Sequence, residues 1–165
     1  VKVEIVDIPK ITSYVGIRAS EYFSNLGQSI NYAFKELINR QDEIMNIVNS
    51  SVTFGISPPN YKGNKCKVDF YCCYEVNPIA NVPHGMVHIH ILPRTYSKTY
   101  YKGPIGKTET AYDYTSNWLK ENGYTYDDVE HYFERYDERT IVSHDVEANE
   151  LIIYCPVKKQ EETAI

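Results

Sequence analysis

Residues 130–138 read EHYFERYDE, which sets one carboxylate between two phenols. Side chains alternate along an extended strand, so Tyr132, Glu134 and Tyr136 share one face while His131, Phe133 and Arg135 share the other. A carboxylate walled by rings loses hydration, which disfavours its charged form. An organic cation entering the same pocket supplies the missing counter-charge where the dielectric is low. Each tyrosine face then adds a cation–π attraction of about 0.5–2 kcal/mol. Glu134 is thus a candidate anionic floor for a pocket that selects flat, hydrophobic cations. The alternative is an exposed strand glutamate paired with a nearby arginine or lysine.

Other residues invite chemistry more weakly. In KVDFYCCYEV (67–76) alternation sets Asp69, Tyr71, Cys73 and Glu75 against Phe70, Cys72 and Tyr74. The more polar set is expected to look into a concavity and the more apolar set to pack on helices. Tyr71 is therefore a second pocket residue, with Glu75 a weaker one because strand-end carboxylates are commonly solvated. Trp118 falls on an apolar helical stripe, where core packing is the default and ligand stacking the alternative. Tyr112 lies off that stripe, within reach of a pocket rim. His88 and His90 share a strand face, with His84 upstream, and three imidazoles can make a zinc site. No carboxylate stands at a telling interval and the loop leaves His84 unplaced, so a solvated strand face is the reading, and neither metal nor cofactor is expected. Cys66, Cys72, Cys73 and Cys155 contain no C-x-x-C and read as reduced thiols. KGPIGK (102–107) lacks the spacing of a phosphate-binding loop.

The elements that must position these residues come as a repeat. VEIVDIPK (3–10) and VHIHILPR (87–94) share one apolar, proline and basic pattern. Each is followed by a second strand candidate, ITSYVGIRAS (11–20) and TYSKTYYKGP (95–104), and then by a helix. The first helix carries Leu26, Ile30, Ala33, Phe34, Leu37 and Ile38 at helical spacing. The second carries Ala111, Tyr114, Thr115, Trp118 and Leu119, with Gly123 where a C-terminal cap belongs. Two strands follow each helix: SVTFGIS and KVDFYCCYEV, then HYFERYD and ELIIYCPVK. SPPNYKGNK and NPIANVPHG read as loops. The expected fold is α+β: two β-β-α-β-β units, 1–78 and 86–158, in a single domain spanning 1–165. They would share one curved antiparallel sheet with both helices on one face and a concave, helix-free cleft on the other.

A chain of 165 residues buries roughly 70% of its unfolded surface without disulfides. No run is apolar enough to span a membrane and no signal peptide is recognisable, so a cytoplasmic protein with no membrane partner is expected. The chain begins at Val1 rather than Met, as a piece of something longer would. A net charge of −5 with scattered basic residues argues against direct nucleic-acid binding. Sixteen tyrosines stand against five phenylalanines and one tryptophan, a bias that suits amphipathic pockets.

Taken together, VEIVDIPK with VGIR, FYCCYEV, YKGPIGKTETAYDYTSNWLKENGY, YFERY and the closing LIIYCPVKK resemble the GyrI-like family over nearly the whole chain. That family includes the effector-binding domains of AraC-type and MerR-type multidrug-responsive regulators and stand-alone relatives. The resemblance implies a site for bulky, often cationic, aromatic compounds faced by the glutamate of an aromatic-x-Glu-x-Tyr strand, which by match to FERY is Glu134. Tyr132, Tyr136 and the neighbouring rings follow from strand alternation. No helix-turn-helix is recognisable here, so a DNA-binding part would lie outside the chain. The resemblance also admits two other activities. One is hydrolysis of electrophilic small molecules with Glu134 as general base; the other is a gyrase-inhibitor-like protein-binding module.

Overall fold

A computed structural model describes residues 1–59, 66–140 and 146–161. The end of the expected loop SPPNYKGNK falls outside them. The strands are β1 (Lys2–Ile8), β2 (Thr12–Tyr22), β3 (Thr53–Ser57), β4 (Lys67–Val76), β5 (Val87–Ile91), β6 (Arg94–Lys102), β7 (Tyr124–Tyr126), β8 (Tyr132–Tyr136) and β9 (Glu150–Lys159). The helices are α1 (Phe23–Asn39) and α2 (Glu109–Glu121), so the class is α+β. Every strand pair is antiparallel. The ladder runs β1-β6-β9-β8-β3-β4-β2-β5, with β7 on the far part of β9. The short β7 is an element that the sequence pattern did not announce.

This order forces the sheet to curl. β1 and β2 stand six strand intervals apart in the ladder. In a flat sheet that is about 29 Å at roughly 4.8 Å per interval. The chain joins them through Pro9, Lys10 and Ile11 alone, a span of at most about 14 Å. β5 and β6 are likewise six intervals apart and joined only through Leu92 and Pro93. The two edges are therefore drawn together at one end. Glu130 pins the second crossing: Leu92 N–H donates to its Oε2 at 3.1 Å, and His131 N–H donates to its Oε1 at 2.8 Å. β1 does not pair with its own neighbour β2 but with β6, and β5 pairs with β2, so the first and second halves exchange their leading strands.

Two cores lie on opposite faces. One packs Ala33, Phe34 and Leu37 of α1 and Ala111 of α2 against Ile17, Cys72, Tyr74, Tyr136, Ile153 and Cys155, so both helices cover the same face. The other, inside the curl, gathers Tyr14, Phe54, Ile56, Cys73, Ile89, Tyr96 and Phe133. The apolar stripes are slightly rotated from the expected ones. Ile38 is 57% exposed and Tyr114 47%, while Tyr112 turns inward against the helix-face core. Gly123 ends α2 with φ of 78°, the left-handed geometry that a glycine cap supplies.

Candidate functional site

The site begins with strand register. Residues directly opposite in neighbouring strands share a face, and Glu134 of β8 stands opposite Gly55 of β3 and Ile153 of β9. Gly55 in turn stands opposite Cys72, and Cys72 opposite Ile17. Ile17, Cys72 and Ile153 all belong to the helix-side core. Glu134 therefore lies under the helices, not on the helix-free face where the sequence reading set it. Within each strand the alternation was right; the link between strands was not available from alternation alone.

Beneath α2 the Glu134 carboxylate is closed off by two phenols. Tyr112 Oη donates to Oε1 at 2.9 Å, and Tyr136 Oη donates to Oε2 at 2.5 Å. Phe34 of α1 meets the Tyr136 ring edge-on, with centroids 5.6 Å apart. Burial pushes the Glu134 carboxyl above its ordinary range, and the two phenol hydrogen bonds pull the other way without overcoming it. No cation among the described residues balances its charge. Burial, and then the nearby Glu134 charge, push the Tyr112 and Tyr136 phenols well up, so both stay protonated and remain donors.

The next shell is also aromatic. Tyr132 packs on the same core, with its ring 5.7 Å from that of Tyr126, and its hydroxyl goes to Asp128 Oδ1 at 2.5 Å instead of to Glu134. Tyr126 Oη reaches the Tyr112 carbonyl at 3.4 Å. Beside Tyr136 a groove of about 460 Å³ opens to the surface, walled by Phe34, Ile38, Tyr74 and Tyr136, with Lys35 and Asp137 also lining it. Tyr136 borders that groove and Glu134 does not.

Of the candidate residues, Glu134, Tyr136, Tyr112 and Tyr132 come together on one face. Tyr71 does not: its row runs through Ile56 and Phe133, on the opposite side of the sheet. Glu75 shares that opposite face, where burial raises its carboxyl and Arg135 opposes the rise. Trp118 is half-buried and outside both cores, about 240° around α2 from Tyr112. His88 and His90 project from edge strand β5 with rings 5.6 Å apart, and Ser13 Oγ lies 3.0 Å from His90 Nδ1. Among the described residues no group of three metal-ligating side chains converges.

Gly55 is the residue that the sequence reading missed. A Cβ there would stand 2.3 Å from the Phe70 ring and 2.7 Å from the Tyr136 hydroxyl. Only a residue without a side chain leaves room over β3 for the Tyr136 hydroxyl to lie beside Glu134. A glycine inside the strand pattern TFGIS is the signal that marks such a close approach.

A family model for the GyrI-like small molecule binding domain matches residues 2–158. No curated protein matches the chain. Among solved structures, the EcmrR C-terminal domain is 20% identical, with a TM-score of 0.69, over 96% of this chain and 98% of that one. EcmrR in its DNA complex is 17% identical with a TM-score of 0.70, and there this chain covers only 57% of the other's length. SAV2435 bound to tetraphenylphosphonium is 15% identical, TM-score 0.67, over 96% of this chain and 94% of that one. A hydrolase from Listeria innocua is 10% identical, TM-score 0.57, over 95% and 92%. At such identities these structures establish a shared fold.

Proposed function

The chain belongs to the GyrI-like small-molecule-binding domain family, and on that premise we propose that it binds bulky hydrophobic, often cationic, aromatic molecules at Glu134. The walls of the site are Tyr112, Tyr132 and Tyr136, and the chain acts as one ligand-sensing domain, either attached to a DNA-binding part or standing alone. The observation that carries this reading is a buried carboxylate held by two phenols, with no cation among the described residues to balance it. In a low-dielectric interior such a group gains more from an incoming cation than an exposed one does. Entry must part the phenols from the carboxylate, at about 1.5–3 kcal/mol for each charge-assisted hydrogen bond. Ring stacking and cation–π attraction, at about 0.5–2 kcal/mol per ring, offset that cost only for cations that carry flat aromatic rings. Selection by charge and flatness follows, with little dependence on directed hydrogen bonds. Tetraphenylphosphonium, the compound carried by the similar SAV2435 structure, is a bulky cation that bears four aromatic rings.

The test is titration of a fluorescent planar cation against wild type and Glu134→Gln at about pH 5 and pH 8. Binding should weaken at the acidic pH, where the raised carboxyl takes up a proton, and collapse in the variant. Equal binding by both proteins would remove Glu134 from the site. The same samples, given an electrophilic ester or epoxide, separate binding from hydrolysis. A general base needs a water where both phenols now sit, so no turnover is expected.

A further inference from the structure

Lys98, Tyr154, Phe133, Ile56 and Tyr71 form one cross-strand row on the helix-free face, directly behind the row that holds Glu134. Over this row the curl of the sheet leaves a cleft of about 290 Å³. Its floor is aromatic: Tyr14, Phe54 and Phe133 are buried, and the Phe133 and Tyr154 rings stack at 4.5 Å and 14°. Two cations line it, Lys98 and Arg135, and the Tyr154 phenol lies within the electrostatic reach of both. The ion pair of each cation reaches an acid outside the lining, while Glu75 within it also feels the Arg135 charge. Lys98 Nζ is 4.0 Å from Glu4, and Arg135 donates from one nitrogen to Asp137 at 3.1 Å. The guanidinium has further donors in a planar fork that suits a carboxylate.

Two acids also line the cleft and are the less available pair. Asp7 accepts the Thr95 hydroxyl at 2.6 Å, and Glu75 shares the field of Arg135 while burial works against its charge. We propose that this cleft is a second small-molecule site, built for a one- or two-ring aromatic anion such as an aromatic carboxylate. The rings lie on Phe133, Phe54 and Tyr14, and the carboxylate meets Lys98, Arg135 and the Tyr154 hydroxyl. The cleft is near the lower bound of about 300 Å³ for drug-sized sites, which restricts it to small ligands. The sheet thereby offers opposite charge preferences on its two faces, with Glu134 and Arg135 as consecutive residues of β8.

The experiment is calorimetric titration of 2-naphthoate, and of the neutral 2-naphthalenemethanol, into wild type, Lys98→Gln, Arg135→Gln and Lys98→Arg. Near-ultraviolet circular dichroism checks that each protein is folded. Wild type should prefer the acid to the alcohol by about tenfold or more, the size of a charge-assisted contact. Each glutamine variant at Lys98 or Arg135 should lose that preference, and Lys98→Arg should keep it. Arg135→Gln keeps the test intact if Lys98→Gln does not fold, since it removes the other cation of the lining. The proposal is overturned by equal affinity for the alcohol, by unchanged binding in folded Lys98→Gln and Arg135→Gln, or by no binding of naphthoate at millimolar concentration. None of these outcomes bears on the cation titration, so the two sites succeed or fail separately.

Discussion

Alanine at Gly55 should damage both the sheet and the Glu134 clamp. The new Cβ would lie 2.3 Å from Phe70 Cζ and 2.7 Å from Tyr136 Oη, against an optimal carbon separation of about 3.5–4.0 Å. Phe70 is only partly buried and can swing, whereas Tyr136 is held by its hydrogen bond to Glu134 and by Phe34. Overpacking costs about 1–3 kcal/mol. Driving Tyr136 off the carboxylate forfeits about 1.5–3 kcal/mol more. The stiffer unfolded chain returns about 0.4–1 kcal/mol. The expected net loss is about 2–5 kcal/mol, or a fall in Tm of about 4–20 °C for a domain of this size. Urea denaturation of wild type, Gly55→Ala, Tyr136→Phe and the double variant measures it. In the Tyr136→Phe background the hydroxyl is absent, so the alanine should cost less by about 1 kcal/mol or more. A Gly55→Ala protein within about 0.5 kcal/mol of wild type, or strict additivity in the cycle, would refute the reasoning.

Three further outcomes follow from the same geometry. Because burial holds the folded Glu134 carboxyl above its ordinary 4.5, the folded protein keeps a proton that the unfolded chain releases. The stability of wild type relative to Glu134→Gln should thus be greatest below that value, fall as pH rises and level off above the folded pKa; urea midpoints at about pH 4 and pH 8 that differ by a constant would contradict this. Glu130→Ala leaves Leu92 N–H and His131 without their acceptor and should cost about 1–3 kcal/mol by the same assay, with Glu130→Gln recovering part. Removing residues 1–8 strips β1 from β6, and the truncated chain should self-associate through the bared strand on size-exclusion chromatography; a stable monomer would show that β6 tolerates an open edge.

Much of the fold was legible because strands and helices announce themselves by period. The expected strands and both helices lie close to where their periods set them, and the apolar side of β4, Phe70, Cys72 and Tyr74, does pack under the helices. Glu134 was assigned to the wrong face for a specific reason. Polarity suggested that Glu134 should face away from the helices, yet the register Glu134–Gly55–Cys72 ties it to the helix side. Alternation says which residues of one strand share a face; only pairing says which residues of two strands do. Tyr112 was read at the rim because its helix stripe seemed to run through Tyr114 and Trp118. The observed stripe runs through Ala111, Tyr112, Thr115 and Leu119, and Thr115 joins Thr99 of β6 at 2.7 Å. A buried hydroxyl pair of this kind is invisible to a hydrophobicity pattern.

The exchange of leading strands also sets a schedule. During synthesis β1 is complete long before β6, its ladder partner from Ile8↔Arg94 to Lys2↔Tyr100, has been made. At about 5–20 residues per second, the intervening chain takes roughly 5–20 s to appear. Through that interval a strand with apolar Val3, Ile5, Val6 and Ile8 has no ladder to join. Lys2, Glu4 and Asp7, interspersed among them, are the charges that discourage such a strand from pairing with a neighbouring nascent chain. β2, α1, β3 and β4 can meanwhile assemble from near neighbours in sequence. The docking of β6 against the waiting β1 and of β9 against β6 then closes the curl around its aromatic interior.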